Sequence, residues 1–324
     1  MCVSPAGGLA PAATEQIAPF EDGQYVRLVN RGRGGYLFAD ETGRGVSVDR
    51  RRGMVNTAWA VQILRTPTAA HVLLRGAYGR YLAVTNHAPP RPGHVGFYVA
   101  QCVFEYPDDH HIEWWTAPGN RGSVLLLHGT AGGLRALRAN GRYQWWKTGV
   151  TAEAVNFSRI TSMMEWEVEV IPMTVERPPY QLRPPSAAIQ WHEGCQEEVD
   201  ITFARADNNG SFERQGWTCM TFNGRSLTQL GNEIADQMGR GGEEFKDMTL
   251  FVIGGQLGQP TPLLTDLPLR DDPVTIVVFR VGTPEGTFSI LLLELGNRSA
   301  VVVAFNHILH DGHDALRFPD LAAE

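Results

Sequence analysis

The 324 residues carry a net charge of −7 and 43% hydrophobic residues, enough to bury the cores of two domains of ordinary size. No apolar run reaches the roughly 18 residues that a membrane-spanning helix needs, so no membrane partner is predicted. The four cysteines are scattered without a CxxC pair, which argues against a disulfide scaffold and a structural zinc site and favours a reducing, cytoplasmic location, cytoskeletal or nuclear sites included.

Charge divides the chain into a basic and an acidic half. Residues 1–21 hold no Lys or Arg and many small residues, and they are predicted to be a disordered leader. Residues 22–172 hold 17 Lys and Arg against 12 Asp and Glu, a net of +5, whereas residues 173–324 hold 11 against 21, a net of −10. The first half is therefore the one suited to an acidic partner.

The first half contains a threefold repeat. Residues 25–40, 71–86 and 123–140 each read as an apolar strand, a Gly-rich turn and a second short strand. One dipeptide position recurs in all three copies, as Tyr36-Leu37, Tyr81-Leu82 and Ala136-Leu137. Three copies of about 50 residues without helical periodicity predict a closed β-trefoil over residues 22–172, because closure removes the exposed edge strands. A β-sandwich is the rival architecture.

Each repeat ends in a strand that contains tryptophan: Trp59 in the first, Trp114 and Trp115 in the second, and Trp166 in the third. These indoles are predicted to occupy equivalent places around the barrel. In "EWEVEVI" the alternation predicts that Trp166, Val168 and Val170 point inwards and that the intervening glutamates point outwards.

Several stretches resemble a known family: "VRLVNRGRGGYLFAD", "RGAYGRYLAVTN", "LRANGRYQWWKTGVT", "EWEVEVI" and, further on, "DITFARADNNGSFERQGWTCMTFNGRSLTQL" and "PTPLLTDLPL". They resemble the plant "domain of unknown function 569" family, grouped with the fascin-like, actin cross-linking trefoils, over most of the chain. The resemblance implies a β-trefoil and, by kinship of fold, actin binding. Where that family usually shows Pro-Pro-Trp-Arg-Asn, this chain has "RYQWWKTG".

Residues 173–196 are predicted to be a Pro-rich linker. The stretch from residue 172 to 194 contains five prolines, a density that disfavours regular structure and stiffens the chain into an extended spacer. A domain boundary is therefore predicted here.

Residues 197–281 are predicted to form a small α+β domain of the ubiquitin-like, or β-grasp, type with the order ββαββ. "EVDITFARA" and "GWTCMTFNG" flank an Asn209-Gly210 turn, and "MTLFVIGG" and "DPVTIVVFRV" give two later strands. Ser226 is predicted to cap the helix, which ends before Gly239. One helix face carries Leu227, Leu230, Ile234 and Met238.

Residues 282–324 are predicted to be a C-terminal tail. "ALRFPDLAAE" resembles a normal family ending, which makes residues 285–314 an insertion or an artefact of the gene model. The tail contains His307-x-x-x-Asp311-Gly312, the spacing with which an acyltransferase superfamily places its general base. Only twelve residues follow Gly312, too few for the second channel wall of such an enzyme.

The tail also holds a cluster of His and Asp between residues 307 and 314, the residue types that bind zinc. We interpret it as a solvated tract, because short His-rich tracts bind metal weakly and without selectivity. No catalytic residue, metal site or cofactor is predicted.

A basic surface with neighbouring indoles is the predicted binding site. Its members are Arg31, Arg33, Arg50, Arg51, Arg52, Arg138, Arg142, Trp145, Trp146 and Lys147. The chain is thus predicted to be a non-catalytic binding or adaptor protein whose trefoil contacts actin filaments or another acidic protein; nucleic acid is not a predicted partner. The alternatives are a lectin-like trefoil that binds sugar through Trp145 and Trp146, and an acyltransferase that uses His307.

Overall fold

The computed structural model describes residues 19–66, 69–89, 94–141, 149–182, 198–207, 212, 217–238, 245–269, 272–280 and 316–323. In the first half of this part, twelve strands follow one another. They are β1 (Tyr25–Asn30), β2 (Gly35–Ala39), β3 (Val46–Asp49), β4 (Trp59–Arg65), β5 (Ala70–Arg75), β6 (Tyr81–Val84), β7 (Phe97–Cys102), β8 (Trp115–Pro118), β9 (Val124–Thr130), β10 (Gly133–Ala139), β11 (Val150–Ala154) and β12 (Trp166–Ile171).

Six of these strands close a barrel. β12 pairs with β1, β1 with β4, β4 with β5, β8 with β9, and β9 with β12, while a bridge between Val72 and Trp114 joins the β5 and β8 sides. The other six form the hairpins β2–β3, β6–β7 and β10–β11, one in each repeat. The predicted β-trefoil is confirmed, with four strands in each of three repeats.

Three indoles mark the threefold symmetry of the core. Trp59, Trp114 and Trp166 are fully buried. Each indole N–H donates to the carbonyl oxygen of the repeated leucine of its own copy: Trp59 to Leu37 (3.0 Å), Trp114 to Leu82 (2.9 Å) and Trp166 to Leu137 (3.0 Å). The prediction that these side chains are equivalent is therefore confirmed, and the neighbouring Trp115 lies outside the set, partly exposed.

The end of β12 departs from the predicted alternation. Val170 is 53% exposed, so the prediction that it points inwards is wrong, whereas Ile171 is buried. Glu169 lies opposite Arg27 on β1, and its Oε1 accepts a hydrogen bond from the Arg27 Nη1 at 2.9 Å. The strand ends at the rim of the barrel, where contacts with later parts of the chain decide which side chains are covered.

The remaining elements are one helix and seven strands among the described residues. They are β13 (Met173–Thr174), β14 (Glu198–Arg205), β15 (Thr218–Asn223), α1 (Leu227–Met238), β16 (Met248–Ile253), β17 (Pro260–Pro262), β18 (Val274–Arg280) and β19 (Phe318–Pro319). The second sheet has the order β15-β14-β18-β16-β17, in which β14 and β18 run parallel and the other neighbours antiparallel. The predicted ubiquitin-like domain is confirmed.

Sequence reasoning missed one strand of this sheet, β17. Proline occupies both its first and its last position, Pro260 and Pro262. Because proline lacks a backbone N–H, a Pro-x-Pro stretch reads as a non-strand, yet it is tolerated on an edge strand, which is where β17 lies.

Helix α1 begins and packs as predicted. The Ser226 hydroxyl accepts from the Gln229 N–H at 3.4 Å, and the Asp266 carboxylate caps a further free N–H, that of Leu227, at 3.0 Å. Leu230 and Ile234 are fully buried against the sheet. The predicted helix end at Gly239 lies outside the described residues.

The second sheet is covered on both faces, which unites the two domains. Along β16, Leu250 and Val252 pack towards α1, while Phe251 and Ile253 pack against the trefoil. The run MTLFVI is apolar at every position but Thr249, because both sides of the strand are buried. We call the apolar group on the trefoil side the shared cluster. It comprises Tyr25, Val55, Ala58, Ala60, Ala77, Ile171, Ala206, Phe251, Ile253, Leu264, Val277, Phe279, Leu316, Phe318 and Leu321.

The Pro-rich segment is not a free spacer where the structure describes it. Met173 and Thr174 pair with Phe318–Pro319, so the prediction that this stretch lacks regular structure is wrong there. Gln181 donates to the Gly53 carbonyl (2.6 Å) and accepts from the Val55 N–H (2.8 Å), and Arg177 donates to the Met248 carbonyl (2.7 Å). Polar side chains thus tie the segment to both domains; residues 183–197 lie outside the described part.

Residues 316–323 are part of the fold rather than a tail. Leu316, Phe318 and Leu321 are each more than nine-tenths buried in the shared cluster. The prediction of a tail over residues 282–324 is therefore wrong for this stretch. The rest of that range, with His307, Asp311 and the predicted insertion, lies outside the described residues.

Candidate functional site

Four of the predicted basic residues are neutralised within the trefoil. Arg52 pairs with Glu169, which also holds the buried Arg27. The other three pairs are Arg31 with Glu167 (3.4 Å), Arg51 with Asp49 (3.0 Å) and Arg138 with Glu153 (3.0 Å). These four arginines therefore do not form one open cationic surface.

Two predicted residues, Arg33 and Arg50, are close enough for their like charges to interact, and we call this pair the basic corner. Arg33 sits in the turn after β1, where the Asn30 side-chain oxygen accepts from its N–H at 3.0 Å. Arg50 follows β3 and is exposed. Burial, and then the like charge of Arg50, lower the pKa of Arg33 below its usual value. In the described part of the chain, no carboxylate forms an ion pair with either guanidinium.

The other four predicted residues, Arg142, Trp145, Trp146 and Lys147, lie outside the described residues. The stretch that contains them is flanked by Gly141 and Gly149. The Arg33 guanidinium donates to the Gly141 carbonyl, and Gly149 forms a bridge with Ser47 on β3. The two glycines that flank this stretch thus contact the first repeat.

A cleft of about 940 Å³ lies between the β6–β7 hairpin and the second sheet. Tyr98, Gln101 and Cys102 line it from the trefoil, and Thr202 and Trp217 line it from the ubiquitin-like domain. Burial raises the pKa of the Cys102 thiol. Both domains thus contribute to one concave site, and ligand pockets are often found between domains.

Close backbone contact holds the two sides of the cleft together. A Cβ on Gly254 would lie 2.2 Å from the Gly79 carbonyl oxygen, so only glycine fits there. The Phe104 N–H donates to the Gly254 carbonyl, and the Leu257 N–H to the Phe104 carbonyl, both at 2.8 Å.

At one end of the cleft, Arg44 and Arg80 of the trefoil hold Asp272 of the ubiquitin-like domain, and we call this trio the interdomain latch. The Arg44 Nε and the Arg80 Nη1 each donate to Asp272 Oδ2 at 2.9 Å. The Arg44 hydrogen bond, more than any other contact, lowers the pKa of Asp272 to about 2. The carboxylate is therefore charged throughout the physiological range.

The latch predicts a pH-dependent loss of stability. Because the folded-state pKa of Asp272 lies below its unfolded value, its contribution is present above about pH 4 and is lost as pH falls towards 2. Since half of Arg44 is exposed, we expect Asp272→Asn to lower the free energy of unfolding by about 1–2 kcal/mol at pH 7 and by about zero at pH 2. Urea denaturation over this range measures the difference. The control Asp200→Asn alters an exposed carboxylate elsewhere; if it shows the same pH dependence, the latch is not the cause.

Sequence reasoning missed Arg44, Arg80 and Asp272. Nothing in their local patterns sets them apart from other surface charges. The available signal is indirect: the mostly apolar sequences of β16 and β18 are typical of strands covered on both faces, and a second covered face requires a partner domain.

The part of the chain that the structure describes contains no group of three or more His, Cys, Asp and Glu side chains arranged to hold a metal ion. In that same part, no helix has the length and apolar character that a membrane span requires.

Each of the two domains matches a family model. Residues 17–166 match the model of the β-trefoil domain of unknown function DUF569, and residues 197–279 match the DUF569-associated ubiquitin-like domain. No protein of curated function matches the chain.

Solved structures that are similar to this chain include three trefoil-sized proteins. The designed threefold-symmetric protein ThreeFoil is 20% identical, with 44% of this chain and 96% of that chain covered and a TM-score of 0.35. A salivary protein from Culex quiquefasciatus is 20% identical (47% and 97% covered, TM-score 0.34), and the SDF2-like protein from Arabidopsis thaliana is 17% identical (46% and 93%, TM-score 0.35). With both family models matched in order along it, the chain belongs to the DUF569 family of β-trefoil proteins that carry the associated ubiquitin-like domain.

Proposed function

We propose that this protein is a non-catalytic binding protein that holds an acidic protein partner at the basic corner, with actin filaments as the first partner to test. The observation that carries the proposal is that Arg33 and Arg50 lie within range of each other's charge and that neither forms an ion pair to a carboxylate among the described residues. Two neighbouring like charges repel each other, and an acidic partner surface relieves that repulsion.

The charge distribution of the chain also favours an acidic partner at the trefoil. The trefoil half is basic and the second half is acidic, so an acidic partner is attracted to the former and repelled by the latter. Gly141, which directly precedes the predicted Arg142 in the chain, accepts a hydrogen bond from Arg33 of the basic corner. The shared cluster holds the ubiquitin-like domain against the trefoil. The outer surface of the ubiquitin-like domain therefore has a fixed position and is the second binding surface that an adaptor needs.

Co-sedimentation of the full chain with actin filaments tests this proposal. We expect binding at low salt that weakens as ionic strength rises, because salt screens exposed charges. Arg50→Glu is expected to weaken binding roughly tenfold, since it replaces an attraction by a repulsion.

The matched control is Arg65→Glu, which makes the same change of net charge at an exposed arginine outside the basic corner. It is expected to leave binding within about twofold of the parent protein. Equal weakening by the two variants would show that only net charge matters, and absence of co-sedimentation at low salt would remove actin as the partner.

A further inference from the structure

The cleft between the domains is electrically balanced. Its charged lining residues are Arg44, Arg80, Asp272 and Glu105. Asp272 is held by both arginines, and a Glu105 oxygen accepts from the Gln256 N–H at 3.3 Å. Two cations thus face two carboxylates, so an ionic ligand would add a charge without a counterpart in a partly desolvated site. An uncharged ligand avoids this cost.

The uncharged lining offers aromatic faces beside hydroxyl and amide groups. Tyr98 and Trp217 contribute rings, and Thr202 and Thr275 contribute hydroxyls. Such a lining suits a molecule that is polar at its edges and has apolar C–H faces, because rings cover the faces while hydroxyls and amides bond the edges.

Gln101, which lines the cleft from β7, has a side chain that is fixed in place. Its side-chain N–H₂ donates to the carbonyl oxygens of Asp40 (3.2 Å) and Gly45 (2.7 Å), which fixes the orientation of the carboxamide. Its Oε1 is buried and has no hydrogen-bond partner among the described residues, although the residue is only 3% exposed. Because Oε1 has almost no accessible surface, a ligand in the cleft does not reach it, and the hydroxyls of Thr202 and Thr275 are the groups left to bond a ligand.

An extended peptide does not fit the cleft by strand pairing. Every strand that lines the cleft has described partners on both sides. β7 lies between β6 and β11, β14 between β15 and β18, β18 between β14 and β16, and β16 between β18 and β17. No strand edge is open to a peptide in this part of the structure, and strand addition requires such an edge.

We infer that the cleft is a binding site for a neutral oligosaccharide, whose rings lie against Tyr98 and Trp217 and whose hydroxyls bond Thr202 and Thr275. The volume of about 940 Å³ is at the upper end of the range of ligand pockets, so more than one sugar ring is accommodated. Neither residue of the basic corner lines this site.

An array of neutral and sulfated oligosaccharides, probed with the full chain, tests the inference. We expect binding to neutral members, followed by calorimetry with the strongest of them. Thr202→Val and Thr275→Val keep the shape and strand preference of the side chain but remove its hydroxyl, and each is expected to weaken binding roughly fivefold. The matched control, Thr221→Val, removes an exposed hydroxyl from β15 outside the cleft and is expected to leave affinity unchanged.

Three outcomes would overturn the inference. The first is the absence of binding to any neutral oligosaccharide on the array by a chain whose melting curve shows that it is folded. The second is binding to sulfated members alone, which points to the basic corner instead. The third is equal weakening by Thr221→Val and Thr202→Val. Arg50→Glu separates the two proposals, because it is expected to affect filament binding and to leave oligosaccharide binding unchanged.

Discussion

Removal of residues 316–324 is expected to unfold the protein at physiological temperature. Leu316, Phe318 and Leu321 are 6%, 3% and 7% exposed in the shared cluster. Burial of each such side chain stabilises by about 1.5–3 kcal/mol, so the loss of all three removes roughly 4.5–9 kcal/mol. Because whole domains are stable by only about 5–15 kcal/mol, little or no stability is left.

A buried charge adds to the effect of this truncation. Arg27 is fully buried, and its Nη2 donates to the Leu321 carbonyl at 2.9 Å. Without that acceptor, part of a buried guanidinium would be left unsatisfied, which costs more than the hydrogen bond itself contributed. The truncation is therefore expected to destabilise the barrel as well as the junction between the domains.

Thermal and urea denaturation, followed by tryptophan fluorescence, measure the effect of the truncation. A synthetic peptide of residues 316–324, added in excess, is expected to restore part of the lost stability, because it binds the folded state alone. Ala322→Ser, at an exposed position of the same segment, is the control and should change little. A truncated chain that melts within about 2 °C of the intact one would show that the segment does not stabilise the fold.

Replacement of any of the three core indoles by phenylalanine is expected to cost about 2–4 kcal/mol, and a similar amount at each position. Each of Trp59, Trp114 and Trp166 fills the core and donates its N–H to a leucine carbonyl. The change to Phe leaves that buried carbonyl without a donor, at about 1–3 kcal/mol, and opens a small cavity. Equal costs follow because the three environments are repeats of one arrangement.

Trp115→Phe is the matched control for this series. Trp115 is partly exposed, and its ring meets the His71 ring edge-on, with 4.9 Å between the ring centroids. Its indole N–H does not form one of the three core hydrogen bonds to a leucine carbonyl. We expect it to cost about 1 kcal/mol or less. A cost for Trp115 as large as for Trp114, or a spread of several kcal/mol among the three core positions, would contradict the equivalence of the repeats.

The trefoil could be predicted from the sequence because its signals are local and occur three times. The leucine and the tryptophan that it bonds lie 22, 32 and 29 residues apart in the three copies, so one motif within each repeat indicates one hydrogen bond. The helix of the second domain was predictable for the same reason: Ser226 and the apolar stripe lie within one short segment. Only some of the site residues could be predicted, because the sequence does not show which arginines form ion pairs within the protein.

The association of the domains could not be predicted in this way. Asp272 meets Arg44 across 228 residues, and no local pattern at either position specifies the other. The proline density after Ile171 indicated a spacer, yet the side chains of Arg177 and Gln181 fix that segment through long-range hydrogen bonds to backbone groups. Such contacts are determined by the docked surfaces, which depend on the folding of both domains.

The bond between Arg27 and Leu321 also has a consequence for synthesis on the ribosome. These residues are 294 positions apart, so the first barrel strand emerges long before its last partner has been translated. During that interval, the apolar faces of β16 and β18 are made before residues 316–323 can cover them. A nascent chain with such exposed strands is prone to aggregation. The late stages of translation are therefore when a chaperone is most needed, and a premature stop codon near the end would yield a misfolded product rather than a slightly shortened one.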